Sequence, residues 1–202
     1  MPPWNERYTV KITGGKERGR KIPVKTASAR APLRPTSAKV KEALFNILGQ
    51  ALKGSRFLDL YAGTGAVGME ALSRGAREAV FVEINKDRCR LIKEISERLG
   101  YEGRIRVHRM DARRYLERAR QRGETFDQIF IDPPYQSGEI KRILPLISDG
   151  LILSEDGIII IEHSSKITLP EESGNLRKGK TYRYGDTSLT IYRLYQQGGK
   201  IK

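Results

Sequence analysis

The sequence is poor in the residues that cross-link chains or ligate metals. Of its 202 residues one is cysteine, Cys89, and two are histidine, His108 and His163. An internal disulfide and a cysteine-based zinc site are therefore excluded, no metal is expected, and the thiol count agrees with a reducing cytoplasm. No apolar run is long enough to span a bilayer, and Met1-Pro2-Pro3-Trp4-Asn5-Glu6 lacks the basic-then-apolar order of a signal peptide. No membrane or secretory role is expected. Acidic residues are scarce beside basic ones, 24 against 38, which leaves a net charge of +14 and a pI near 10.0. Such a surplus favours a polyanionic partner over an acidic protein or a neutral metabolite. It is also unevenly placed, because residues 1 to 41 hold eleven Lys or Arg against two Glu.

What is present suits one α/β core with a small appendage: 38% hydrophobic residues, 31% charged and a mean hydropathy of −0.52. Tyr8 to Ile12 alternate, Gly14-Gly15 turns, and Arg18 to Val24 resume the pattern, which predicts a basic hairpin too small to fold alone. Residues 25 to 35 form a linker bearing Pro and Ala, and Thr36 or Ser37 can cap the helix that follows. The expected division is 1–35 for the basic extension and 36–202 for the main domain. Val40, Ala43, Leu44, Ile47, Leu48 and Ala51 share one face of that helix, which buries it against a sheet.

From Phe57 strands and helices alternate. Strands are predicted near 56–60, 79–84, 105–110, 127–132 and 157–162, with helices near 66–74, 86–99, 112–121 and 139–149. This order demands a parallel sheet covered on both sides. Residues 176–184 and 188–196 around Gly185-Asp186 predict a terminal antiparallel hairpin, so a Rossmann-like sheet of seven strands, mostly parallel, is expected.

The strand at 128–131 is apolar and stops at Asp132-Pro133-Pro134-Tyr135, since neither proline can donate to a ladder. That leaves a carboxylate at a strand's carboxyl end, where parallel α/β sheets hold ligands. The first parallel strand runs from Asp59 into Tyr61-Ala62-Gly63-Thr64-Gly65-Ala66-Val67-Gly68, whose G-x-G-x-x-G spacing brings a ligand close to the backbone at a helix N-terminus. Glu83 closes the next strand about twenty residues later, where a carboxylate can take ribose hydroxyls, and Asp111 closes the third. A solvated strand end is the commoner fate of one such acid. Three of them beside a glycine loop favour a site.

Together, Asp59 to Gly65, Glu83, Asp111 and Asp132 to Tyr135 resemble the S-adenosylmethionine-dependent amino-methyltransferases. With Gly15-Lys16-Glu17-Arg18-Gly19-Arg20 and Leu33-Arg34-Pro35-Thr36, the chain over roughly residues 7 to 196 resembles the RsmD-type methylases of guanine N2 in small-subunit ribosomal RNA. The resemblance implies S-adenosyl-L-methionine as cofactor, with the ribose on Glu83, the adenine on Asp111 and the methionine end over Asp59, Tyr61, Gly63 and Gly65. Ala62, Ile84 and Ala112 belong to the same implied set. It also implies catalysis by Asp132, Pro133, Pro134 and Tyr135, with the Asp132 carboxylate and the Pro133 carbonyl drawing the hydrogens of an exocyclic amine and Tyr135 stacking on its base.

Arg18, Arg20, Lys21, Arg34 and Lys39 are candidates for phosphate contacts, with Arg104, Arg106, Arg109, Arg113 and Arg114 as a second basic group. His163 is expected to be a loop histidine and Cys89 a small buried helix residue. The expected partner is ribosomal RNA or a small-subunit assembly particle, met by a monomer in the cytoplasm. Rival readings at the same tetrapeptide are a DNA adenine-N6 methyltransferase, for which the chain leaves no room for a target-recognition insert, and a protein glutamine methyltransferase, which has less need of a basic N-terminus. A non-catalytic RNA-binding protein on this scaffold is the rival of another class.

Overall fold

The proline-stopped strand lies in the middle of the sheet. The computed structural model describes residues 8–24, 36–134, 138–149 and 151–195. Tyr135, the whole 25–35 linker with Arg34, and the 1–6 arm lie outside them. The elements run β1 (Tyr8–Lys11), β2 (Lys21–Val24), α1 (Ala38–Leu48), β3 (Arg56–Asp59), α2 (Ala66–Ser73), β4 (Glu78–Val82), α3 (Lys86–Leu99), β5 (Ile105–His108), α4 (Ala112–Gln121), β6 (Phe126–Ile131), α5 (Glu139–Asp149), β7 (Leu153–Ser164), β8 (Glu172–Ser173), β9 (Leu176–Tyr184) and β10 (Thr187–Leu194).

Among the described residues the main sheet has eight strands in the order β5-β4-β3-β6-β7-β10-β9-β8. β3 to β7 pair in parallel, and β10 enters antiparallel between β7 and β9. The expected count of seven is exceeded by β8, a two-residue strand at the edge, too short to leave a periodic signal. The order turns back beside β3: the chain goes outward through β4 and β5, then returns to place β6 on the other side. Crevices at such reversals, outside the strands' carboxyl ends, are where open α/β sheets bind ligands.

Both faces are covered. α4 and α5 lie over Leu58, Val80, Ile129, Ile131, Ile159 and Ile161; α1 and α2 lie over Phe57, Phe130, Ile158 and Ile160. Ile158 to Ile161 are buried in succession, each side chain worth about 1.5–3 kcal/mol on transfer from water. Ser37 caps α1 by accepting the Val40 N–H at 3.2 Å. Its buried stripe is Val40, Ala43, Leu44, Phe45 and Leu48, while Ala51, expected on that face, is exposed in a 3-10 turn.

The basic hairpin is docked. Val10, Ile12 and Ile22 join a cluster with Met69 and Leu72 of α2 and Ile92 and Ile95 of α3. Its Gly14-Gly15 turn rests on the end of α2, where the Lys16 N–H donates to the Ser73 carbonyl at 2.8 Å and the Ser73 hydroxyl to the Gly14 carbonyl at 2.7 Å. Glu70, fully buried in α2, accepts from the Thr13 hydroxyl at 2.6 Å and pairs with Lys41 of α1 at 2.7 Å and Arg74 at 2.8 Å. Removing one member of so buried a pair typically costs about 3–5 kcal/mol.

Candidate functional site

The loop from β3 to α2 is shaped by its glycines for different reasons. Gly63 and Gly65 have φ of +54° and +76°, which side chains rarely adopt. A Cβ at Gly68 would stand 2.3 Å from the Phe81 ring, so this glycine lets α2 press onto β4. Above Gly63, by contrast, a Cβ would meet only the Tyr61 carbonyl at 4.0 Å, and the backbone there is open to a ligand.

Acids anchor the loop. Gly65 stands at the N-cap of α2 and has no side chain to cap it, so the Asp59 carboxylate reaches across and accepts the Gly68 N–H at 3.1 Å. Glu83 accepts the Gly63 N–H at 2.9 Å on one oxygen and the Asn85 N–H at 2.8 Å on the other, while the Cys89 thiol donates to the Glu83 carbonyl at 3.2 Å. Cys89 is the buried helix residue that was expected. Asp111 is the N-cap of α4, its Oδ1 accepting the Arg113 N–H at 2.9 Å, with Ala112 buried behind it. Ile84 stands 67% exposed at the end of β4, an apolar surface beside Glu83.

A cleft between these elements is lined by Thr36, Asp59, Tyr61, Ala62, Gly63, Thr64, Ala66, Val67, Phe130 and Asp132. It brings Asp59, Tyr61 and Gly63, three of the four residues expected at the methionine end, together with Asp132; Gly65 is not part of its lining. Glu83 closes the loop from behind, and Ile84 and Asp111 lie farther along the same rim, after β4 and after β5. Pro133 is buried and Pro134 exposed, and the Tyr61 hydroxyl donates to Glu139 of α5 at 3.4 Å, linking the glycine loop to the far end of the proline turn.

The electrostatics are those of a cation site. No Lys or Arg lines the cleft among the described residues, in a protein of charge +14. Burial pushes the Asp59 carboxyl up to about 7; the Gly68 N–H opposes this, and the neighbouring Asp132 and Glu83 charges add to it. Burial also raises Asp132 above the usual carboxylate range. A ligand carrying positive charge offsets the cost of ionising these acids, so the residues present fit an ammonium and sulfonium group.

Sequence reasoning missed Glu162. On β7 it is 4% exposed, raised in pKa by burial and by the Asp132 charge, and hydrogen-bonded to Thr36. Its signal was an acid at the end of an apolar run, as at Asp59 and Asp132. His163 is not a loop residue. It lies within β7, 4% exposed, with Nδ1 at 2.9 Å from the Ser164 carbonyl and Nε2 at 2.7 Å from the Thr190 hydroxyl. Those partners place the proton on Nδ1, with Nε2 accepting, and burial lowers the ring's pKa.

The basic candidates divide. Arg18, Lys21 and Lys39 are exposed. Arg20 pairs with Glu17 at 2.7 Å and donates to the Arg98 carbonyl at 2.7 Å. Arg104 donates to the carbonyls of Arg77 and Ala76, and Arg106 pairs with Glu78 at 2.6 Å; Arg109, Arg113 and Arg114 are exposed. The turn bearing Arg18 packs on the C-terminal end of α2, whereas the cleft opens at its N-terminal end.

The comparisons agree with this geometry. The family model described as conserved hypothetical protein 95 matches residues 10–193. Bacillus subtilis YlbH is 38% identical over 184 residues, 91% of this chain and 98% of its own. Ribosomal RNA small subunit methyltransferase D of Escherichia coli is 33% identical over 189 residues, covering 93% of this chain and 90% of that protein. The solved structure of Escherichia coli yhhF superposes with a TM-score of 0.79 at 31% identity, over 94% of this chain and all of that one. A match of this extent, on a sheet whose reversal point carries the glycine loop and the Asp-Pro-Pro turn, places the chain in the conserved hypothetical protein 95 family, the RsmD-type methyltransferases.

Proposed function

We propose that the protein transfers a methyl group from S-adenosyl-L-methionine to the exocyclic N2 amine of a guanine in small-subunit ribosomal RNA. The observation that carries this reading is the position of Asp132-Pro133-Pro134 at the end of β6, directly beside β3 and its glycine loop. When bound, the cofactor supplies an electrophilic methyl group on a sulfonium sulfur that leaves as a neutral thioether. The chain's own residues do the rest. Asp59, Tyr61, Ala62, Gly63 and Gly65 hold the methionine end, Glu83 the ribose, and Ile84, Asp111 and Ala112 the adenine.

The N2 lone pair is delocalised into the purine ring, so the amine is a poor nucleophile. Asp132 and the Pro133 carbonyl accept its two hydrogens and draw the lone pair out of the ring plane. Pro134 holds those acceptors in place, which stabilises the transition state without reorganisation. Tyr135 stacks on the base. The departing proton leaves along the hydrogen bond to Asp132, a carboxylate whose raised pKa suits it to receive one.

Residues 1–35, as a basic extension of the 36–202 domain, contribute phosphate contacts through Arg18, Arg20, Lys21, Arg34 and Lys39. The protein acts as a monomer on ribosomal RNA or an assembly particle in the cytoplasm. Incubation with methyl-labelled cofactor and separate RNA, DNA and protein fractions tests this. Label recovered as N2-methylguanosine from small-subunit ribosomal RNA is the expected result; label in N6-methyladenine or in protein sinks the reading.

A further inference from the structure

Five acids stand at the carboxyl ends of five adjacent strands. Across the sheet they run Asp111 after β5, Glu83 after β4, Asp59 on β3, Asp132 after β6 and Glu162 on β7. In the proposed reading the first three hold adenine, ribose and methionine in that order, and Asp132 faces the transferred methyl group. The fifth lies beyond it, on the side away from the cofactor, where the acceptor must be. Alternation along the strands points it the same way: Asp59, Asp132 and Glu162 follow Phe57, Phe130 and Ile160 by two residues, and these belong to the cluster under α1 and α2.

Of the five, Glu162 is the one with an oxygen that is both buried and unpaired among the described residues. It is 4% exposed, Thr36 of the cleft wall bonds it, and Oε2 is buried with no hydrogen-bond partner among the described residues. A buried acceptor left unpaired typically costs about 1–3 kcal/mol, and more when charged, so it persists where a ligand supplies the donor.

We propose that Glu162 reads the base, its carboxylate accepting the ring N1–H of guanine while Asp132 and the Pro133 carbonyl hold the adjacent exocyclic amine. This rests on the guanine-N2 reading above and adds the residue that selects the base. Guanine shows N1–H and the 2-amino group side by side, two neighbouring donors for two neighbouring strand-end carboxylates. Adenine shows an acceptor at N1, and a carboxylate there repels it. The raised pKa values agree, since burial raises both acids and the Asp132 charge adds to the rise at Glu162, a cost that the donors of a bound base offset.

The test uses the full chain and an RNA fragment bearing the guanine that wild type methylates, made with guanine or with 2-aminopurine at that position. 2-Aminopurine keeps the 2-amino group and has no hydrogen on N1. Wild type should prefer guanine in kcat/KM by at least about tenfold, the discrimination of one hydrogen bond to a charged group. E162Q should bind S-adenosylmethionine within about twofold of wild type by calorimetry, lose at least about tenfold in kcat/KM on guanine, and discriminate by less than about threefold. A wild-type ratio near one overturns the inference even if E162Q fails to fold. A folded E162Q that keeps the wild-type ratio overturns it too, whatever its absolute rate. If wild type labels no guanine at all, the underlying reading has failed and takes the inference with it.

Discussion

Glu83 and Gly63, twenty positions apart, are joined by a 2.9 Å hydrogen bond from the Gly63 N–H to the Glu83 carboxylate. The acid assigned to the ribose is thus also the clasp that holds the glycine loop against β4. Glu83→Ala should weaken S-adenosylmethionine binding by roughly 1–3 kcal/mol, with saturating cofactor restoring much of the turnover. Glu83→Gln keeps acceptor oxygen for one of the two N–H groups and should lose less. Calorimetry on both variants decides; unchanged affinity in the alanine variant removes Glu83 from the cofactor site.

Asp132→Ala should leave cofactor affinity within a few-fold and lower turnover by at least about a hundredfold, the scale for losing an acceptor used in the transition state. Its place after β6, next to β3 but outside the glycine loop, separates the two effects. Single-turnover methyl transfer beside equilibrium binding measures them separately. Near-normal turnover would sink the mechanism.

Asp59 should make cofactor binding depend on pH. Its carboxyl is raised from 3.8 to about 7, so the free protein favours the protonated form relative to the unfolded chain. The sign follows: its contribution to stability is complete below pH 3.8 and is lost as pH rises toward 7. A cationic ligand favours the ionised form, so binding near pH 6.5 should release protons and affinity should rise with pH through about 7. Calorimetry in buffers of different ionisation enthalpy reads the proton release, and Asp59→Asn should reduce it. Proton uptake on binding would contradict the assignment.

For RNA, the exposed Arg18 and Lys21 are the cleaner pair to neutralise, because Arg20 is tied to Glu17 and to the Arg98 carbonyl. Replacing both by Ala should flatten the slope of log affinity against log salt by up to about 0.7–0.9 per lost phosphate contact, with cofactor affinity unchanged. Parallel slopes for wild type and variant would move the RNA surface to Arg109, Arg113 and Arg114.

Local pattern carried much of this architecture. The apolar run before Asp132, the glycines after Asp59 and the alternation from Phe57 to Asp149 each specify a strand, a turn or a helix from neighbouring residues alone. What escaped was set by residues far apart. The docking of Thr13 on Glu70 spans 57 positions and has no periodic signature. β7 extends to Ser164 with no proline or glycine to mark its end, so Glu162 and His163 looked like the edge of a strand and the start of a loop. Alternation from Ile158 through Ile160 to Glu162 was legible, but its meaning needed β6 beside it, where Ile131 pairs with Ile161. The insertion of β10 between β7 and β9 has no local signal.

That insertion has a consequence for how the protein is made. Until residues 187 to 194 leave the ribosome, β7 pairs on one side only, and its four successive isoleucines border an open edge of unpaired backbone groups. Such an edge on a nascent chain invites pairing with another chain. Leu189, the residue that pairs opposite Glu162, belongs to β10, which follows the other nine strands of the described residues, so the sheet around Glu162 is completed only after translation has passed all of them.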